Sequence, residues 1–248
     1  MTSTTESGHA KLLSNFDKLT LSVLRIGPEY NPSYANLKPE FLQKVASNSK
    51  SAIDETANAA LVYRNAVKAR EIAFEGLNPF VTRLFNTLKI SDREGKSWEI
   101  ARTYQRKIQG RRAVGKRTEE EQKADVESGL IYKEVSASQM GYDSLVENFG
   151  MLVKLAISTP GYQPNEEDLK KEALLKMLED LKSRNASVIS ATSDLFKARA
   201  RRNELLYKEM TGLVDLALDT KTYLKGAFGT RSSHYLEVSG LEFKRRRN

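Results

Sequence analysis

Between Pro164 and Gly212 the chain carries neither proline nor glycine, and its apolar residues keep a helical period throughout. Leu174, Leu178, Leu181, Val188, Leu195, Leu206, Met210, Leu213 and Ala217 are separated by steps of three, four, seven and eleven, which place them on one face of an α-helix and not on one face of a strand. Upstream, Asn165 precedes Glu166, Glu167 and Asp168: a side-chain acceptor for unpaired amides, then anionic groups at the positive end of the helix dipole, with Asp168 completing a capping-box-like pair. The stretch from Asn165 to Gly229 is therefore predicted as long amphipathic helix from a capped start to a glycine stop. Asn185, Thr192, Arg199 and Asn203 fall on the same seam. Unpaired polar groups are costly in a dry core, so either they hydrogen-bond across helices and set register, or the helix breaks near residues 183–187.

The first half of the chain holds a near copy. Asn15-Phe16 matches Asn148-Phe149 at an offset of 133 residues. An offset of 132 then aligns Tyr30 with Tyr162, Pro32 with Pro164, Leu37-Lys38 with Leu169-Lys170, Leu42 with Leu174, Lys50-Ser51 with Lys182-Ser183, Arg70 with Arg202, Leu84 with Leu216 and Lys89 with Lys221. Gly95 meets Gly229 at 134. Ordered matches of this kind indicate duplication. Each copy, of about 85 residues, is long enough for several helices and too long for the unit of a solenoid.

Taken in order, residues 1–8 are small and polar and are expected to fray. A helix from about His9 carries Leu12, Phe16, Leu19 and Val23 and stops at Gly27-Pro28. Asn36 is a candidate cap for the next helix, whose first turn holds Pro39 and whose face runs from Leu42 through Ala60 and Ala66 to Phe74. A break at Gly76 and Pro79 precedes an amphipathic segment with Val81, Leu84 and Leu88. Six prolines and fourteen glycines in 248 residues, clustered at segment ends, favour an all-α class over a loop-rich β protein.

The expected architecture is two tandem related antiparallel helical bundles with long helices. Residues 1–112 form the first repeat with a basic extension, 113–140 a charged linker, and 141–248 the second repeat with a basic C-terminal tail. Whether the copies build one joint core or two stays open. Two strings that share Y-x-E-V-S, Ile131–Ser136 and His234–Ser239, alternate as strands do and can pair as a minor two-stranded β ribbon or pack as extended straps.

Charge is localised. Residues 89–117 hold ten basic and three acidic side chains, a local +7 in a chain of net +8, and residues 118–127 swing back to −4 with five acids and one lysine. Within this insert Ser97 can cap a short helix whose Ile100, Tyr104 and Ile108 share one face, leaving Arg102, Arg106 and Lys107 outward. Trp98 and Tyr104 lie among the cations, a composition that can neutralise phosphates and stack on bases. The candidate nucleic-acid or partner-binding residues are Arg102, Arg106, Lys107, Arg111, Arg112, Lys116, Arg117, Arg245, Arg246 and Arg247. The competing explanation is that these cations pair with the acidic run or with an acidic face of a neighbouring subunit.

The second copy begins Y-Q-P-N-E-E-D-L-K, continues L-L-Y-K-E-M-T-G-L-V-D-L-A-L-D-T-K-T-Y-L-K-G-A-F-G and ends Y-L-E-V-S-G-L-E-F-K, with S-Q-M-G-Y-D near Ser138. In these segments the chain resembles a group of uncharacterised bacterial proteins with a duplicated helical layout. The resemblance covers most of the chain, implies the duplicated all-helical fold and a bacterial source, and carries over no activity and no functional residue.

Enzymatic chemistry finds little purchase. The chain has no cysteine, hence no thiolate nucleophile and no Cys-based metal site. Gly95-Lys96-Ser97 ends like a P-loop, but Ile90 stands where the earlier glycine is needed. His9 and His234 sit in terminal segments, far apart in sequence and without a cluster of ligand types around them. No catalytic, cofactor-binding or metal residue, and no small-molecule substrate, is expected. No apolar run is long enough to span a bilayer and the N-terminus lacks a signal-peptide pattern, so a cytoplasmic protein is expected. The expected function is that of a non-enzymatic structural or scaffold protein working through protein-protein contacts or homo-oligomerisation. The alternative is nucleic-acid binding by the insert and the basic tail, and a membrane-active helical protein ranks third.

Overall fold

A computed structural model of the chain describes residues 4–93, 95–111 and 140–244, with side-chain burial described from residue 8 onward. Among these residues there are eight α-helices and no strand: α1 (Thr4–Ile26), α2 (Pro39–Glu75), α3 (Leu77–Ser91), α4 (Ser97–Ile108), α5 (Tyr142–Ser158), α6 (Lys171–Tyr207), α7 (Leu213–Phe228) and α8 (Ser233–Ser239). The protein is all-α. The string His234–Ser239, read as a strand, is helix α8: the Ser232 hydroxyl accepts from the Tyr235 amide at 3.2 Å. Tyr235 and Val238, three apart, pack on the core of their unit while Leu236 is 58% exposed. Alternation over six residues did not separate the two periods. Ile131–Ser136 lies outside the described residues.

Short 3-10 turns correct both expected caps. Neither Asn36 nor Asn165 caps a long helix, because 3-10 turns at Ala35–Leu37 and Glu167–Leu169 intervene. An extended lysine follows each turn, Lys38 before α2 and Lys170 before α6. Pro39 takes the first helical position, where its missing N–H does no harm, and holds Lys38 in the extended region. The two turns are built alike. The Tyr30 hydroxyl donates to the Leu37 carbonyl at 2.8 Å and the Tyr162 hydroxyl to the Leu169 carbonyl at 2.7 Å, each tyrosine almost wholly buried. Burial, the leading cause in both, pushes each phenol up to about 12. α2 and α6 are each 37 residues long and begin 132 residues apart. Along α6 the buried seam runs Leu174, Leu178, Leu181, Asn185, Val188, Ala191, Leu195 and Leu206, whereas Thr192 and Arg199 are exposed.

The described chain forms two compact units. Unit 1 comprises Met1–Arg64 with Ser190–Asn248, and unit 2 comprises Asn65–Ile189. These boundaries fall inside α2 and α6, whereas the sequence pattern placed them at 112 and 140. The core of unit 1 joins Phe16, Leu19 and Val23 of α1 and Leu42 of α2 to Leu206, Leu216, Leu224 and Val238. The core of unit 2 joins Leu77, Val81, Leu84 and Leu88 of α3 and Ile108 of α4 to Phe149 and Leu152 of α5 and Leu174 and Leu181 of α6. There are thus two cores, each assembled from both halves of the chain.

Candidate functional site

The basic helix α4 belongs to unit 2 and starts on a carboxylate. Asp92 accepts the Ser97 amide at 3.1 Å, and hydrogen bonding from the Ser97 side chain, then from the Ser97 and Gly95 amides, holds its carboxyl below the usual range. A Cβ at Gly95 would meet Asp92 Oδ1 at 2.1 Å, so any other residue there would displace this carboxylate. The Gly95-Lys96-Ser97 string thus turns on the protein's own carboxylate.

One face of α4 is buried through Ala101 and Ile108, with Tyr104 half-buried, against α3 and α5. The expected apolar face is rotated slightly, since Ile100 is 52% exposed and Ala101 takes its place inside. The cations do lie outward: Arg102, Lys107 and Arg111 are exposed and Arg106 is half-buried. Helix α4 ends in a Schellman motif, the Arg111 amide reaching the Arg106 carbonyl at 2.8 Å and the Gly110 amide the Lys107 carbonyl at 3.3 Å, with Gly110 at φ 65°. This left-handed turn brings Arg111 back beside the helix it has just left.

The result is a groove between α3 and α4. Trp98, Arg102, Gln105, Arg106 and Gln109 repeat at helical spacing along α4 and, with Arg111 and with Phe85 and Lys89 of α3, line a hollow of about 430 Å³. Its floor is fixed by Gln109, whose amide nitrogen donates to the Thr82 hydroxyl at 2.8 Å. The Lys89 ammonium lies 5.4 Å from the Trp98 ring centroid and the Lys107 ammonium 5.7 Å from that of Tyr104. Among the described residues no acidic side chain lines the hollow. Lys89, Arg102, Arg106 and Arg111 form no ion pair with any described carboxylate.

Of the residues singled out by sequence, the structure gathers Arg102, Arg106 and Arg111 at the groove and sets Lys107 on the flank of α4. Arg112, Lys116, Arg117, Arg245, Arg246 and Arg247 lie outside the described residues. Sequence reasoning missed Phe85, Gln105 and Gln109, which carry no charge. Counting i+4, i+7 and i+11 from Trp98 would have found the two glutamines.

Other polar features serve the cores. The Arg70 guanidinium stacks on Tyr142, 3.8 Å from its centroid, and donates to Asn185 at 3.0 Å, while the Asn185 amide donates to Asp143. This is the cross-helix pairing that the buried asparagine of the α6 seam requires. His9 lies against Tyr207 and His234 against Phe228, with ring centroids 6.0 and 5.0 Å apart. Among the described residues no group of three His, Asp or Glu is placed to hold a metal ion, and no helix is long and apolar enough to cross a membrane. No protein family, curated protein or solved structure matches the chain.

Proposed function

We propose that this protein is a bacterial, cytoplasmic, non-enzymatic helical scaffold, built from two tandem copies of one antiparallel bundle, and that it works by holding a polyanionic macromolecule in the unit 2 groove. The matched 37-residue helices, the repeated tyrosine-to-carbonyl bond and the buried pair Phe16 and Phe149 support the duplication. The observation that carries the functional reading is the gathering of Lys89, Arg102, Arg106 and Arg111 along one hollow that no described carboxylate lines. Like charges held together raise the energy of the free protein, and a polyanion relieves that repulsion while releasing its own counterions. Retention on heparin across a salt series tests it. Wild type is expected to bind with strong salt dependence, and the Arg102→Glu, Arg106→Glu, Arg111→Glu triple variant to lose retention while its helical circular dichroism is unchanged. Equal retention of the two proteins would sink the reading.

Self-association is a second reading, favoured by a different observation. In unit 1, Leu61 and Val62 of α2 are 53% and 58% exposed, and Phe196 of α6 is 74% exposed. Large apolar groups on long helices are suited to an isologous contact between copies. Sedimentation velocity over a concentration series should show a dimer that Phe196→Ser disperses; a monomer at every concentration would exclude it.

A further inference from the structure

Resting on the polyanion reading, we infer that the ligand of the groove is single-stranded nucleic acid, laid along α4 with phosphates on Arg102, Arg106 and Arg111 and a base against Trp98. The arrangement of the charges argues for a chain and not for one compact anion. From Trp98 to Gln109 the groove follows α4 for about 16 Å; Arg102 and Arg106 are offset by about 6 Å along it, the order of one extended nucleotide, and Arg111 returns beside them past the Gly110 turn. A single phosphate would be held by convergent donors; a line of cations suits a line of phosphodiesters.

The uncharged members of the groove argue for bases. Trp98 is half-buried at one end of the hollow, its ring anchored against the unit 2 core with the Lys89 ammonium over it, a cation that an incoming base displaces or shares. Stacking on such a ring is tolerant of sequence because every base has a π face. Gln105, set between Arg102 and Arg106, offers both a donor and an acceptor, which an exposed base edge can use and a carboxylate or sulfate chain cannot use in full. The hollow has the volume of a small-molecule site, which admits nucleotides singly but not the width of a duplex, and its concavity does not suit a flat lipid surface.

The chain holds a single tryptophan, so its fluorescence reports on this site alone. Titrating the full-length protein with oligo-dT is expected to quench Trp98 emission, with an affinity that falls steeply with salt. Heparin should displace the oligonucleotide without reproducing the quench. By fluorescence anisotropy with labelled oligo-dT, Arg106→Glu and, as a milder change that preserves packing, Arg102→Gln should each weaken binding, the former by about tenfold or more. Trp98→Leu should cost about tenfold while keeping the salt slope.

Binding of oligo-dT without quenching would overturn the inference while leaving the polyanion reading intact. Equal or tighter binding of duplex DNA, poly-glutamate or anionic vesicles would do the same. Failure of heparin and oligo-dT alike to bind would overturn both.

Discussion

In unit 1, Lys221 of α7 donates to the carbonyls of Ser239 and Leu241, each at 2.8 Å, and closes the end of the short helix α8; in unit 2 its sequence counterpart, Lys89 of α3, reaches over Trp98 at the mouth of the groove. Around these lysines the units use the same parts. Phe16 and Phe149 are fully buried, as are Leu42 and Leu174, and each unit has its tyrosine bonded to a leucine carbonyl seven residues on. What differs is the helix that follows each lysine. In unit 1 it has seven residues and presents Glu237, paired with Arg25 at 3.1 Å; in unit 2 it has twelve and presents arginines that pair with no described carboxylate. The lysine caps the following helix where that helix is short. Where that helix is long and ends in its own Schellman motif, the lysine is released for the surface.

The largest effect expected is on the frame. Phe16→Ala and Phe149→Ala each remove a fully buried ring and should each cost about 3–5 kcal/mol in urea unfolding; a wide gap between the two would break the equivalence of the cores. Next come Tyr30→Phe and Tyr162→Phe, which leave a buried carbonyl short of a donor and should each cost about 1–2 kcal/mol. They also predict a shared alkaline weakness. A phenol whose folded pKa is about 12 against an ordinary 10 contributes stability that is intact below pH 10 and lost as the pH rises towards 12. Alkaline unfolding followed by phenolate absorbance should therefore shift in each Phe variant.

The lysines separate the units more finely. Lys221→Met should lower stability by about 1 kcal/mol, because two carbonyls at the end of α8 lose their donor, whereas Lys89→Met should leave unfolding unchanged and weaken only oligonucleotide binding. Equal destabilisation by both would mean that Lys89 is structural. The smallest effect is expected from Arg83 and Asp168, a two-bond pair at 2.6 and 3.1 Å with both side chains about half exposed. The hydrogen bond from Arg83 holds the Asp168 carboxyl below its usual range. The pair's contribution is thus present above the ordinary carboxylate pKa and fades as the pH falls through the folded value. Unit 1 has Asp215 and Asn36 at the matching positions, and Asp215 accepts the Met210 amide at 3.0 Å instead. Asp168→Asn should accordingly make a small difference near neutral pH and none in acid.

The all-helical class was legible because a period of 3.6 sustained over tens of residues has no strand counterpart. Helix ends were less so: Asn-Glu-Glu-Asp has the composition of a cap, but the deep burial of Tyr162 and Leu169 draws that segment into a 3-10 turn against the core. The interleaving of the cores was not legible at all. A periodic pattern shows which face of α2 is apolar, not that its first part meets the apolar residues of α7 while its last part meets those of α5. At the groove, charge identified Arg102, Arg106 and Arg111. Gln105 and Gln109 escaped because glutamine marks a site only once a helix has set its neighbours.

The sequence order of the two units has a consequence for the nascent chain. Unit 2 is continuous, so its core is complete soon after Leu181 leaves the ribosome, but α1 of unit 1 must wait for Leu206 through Phe243. At 5–20 residues per second, the apolar face carrying Phe16, Leu19 and Val23 stands uncovered for roughly 10–40 s. The unit translated first is thus the one to finish last.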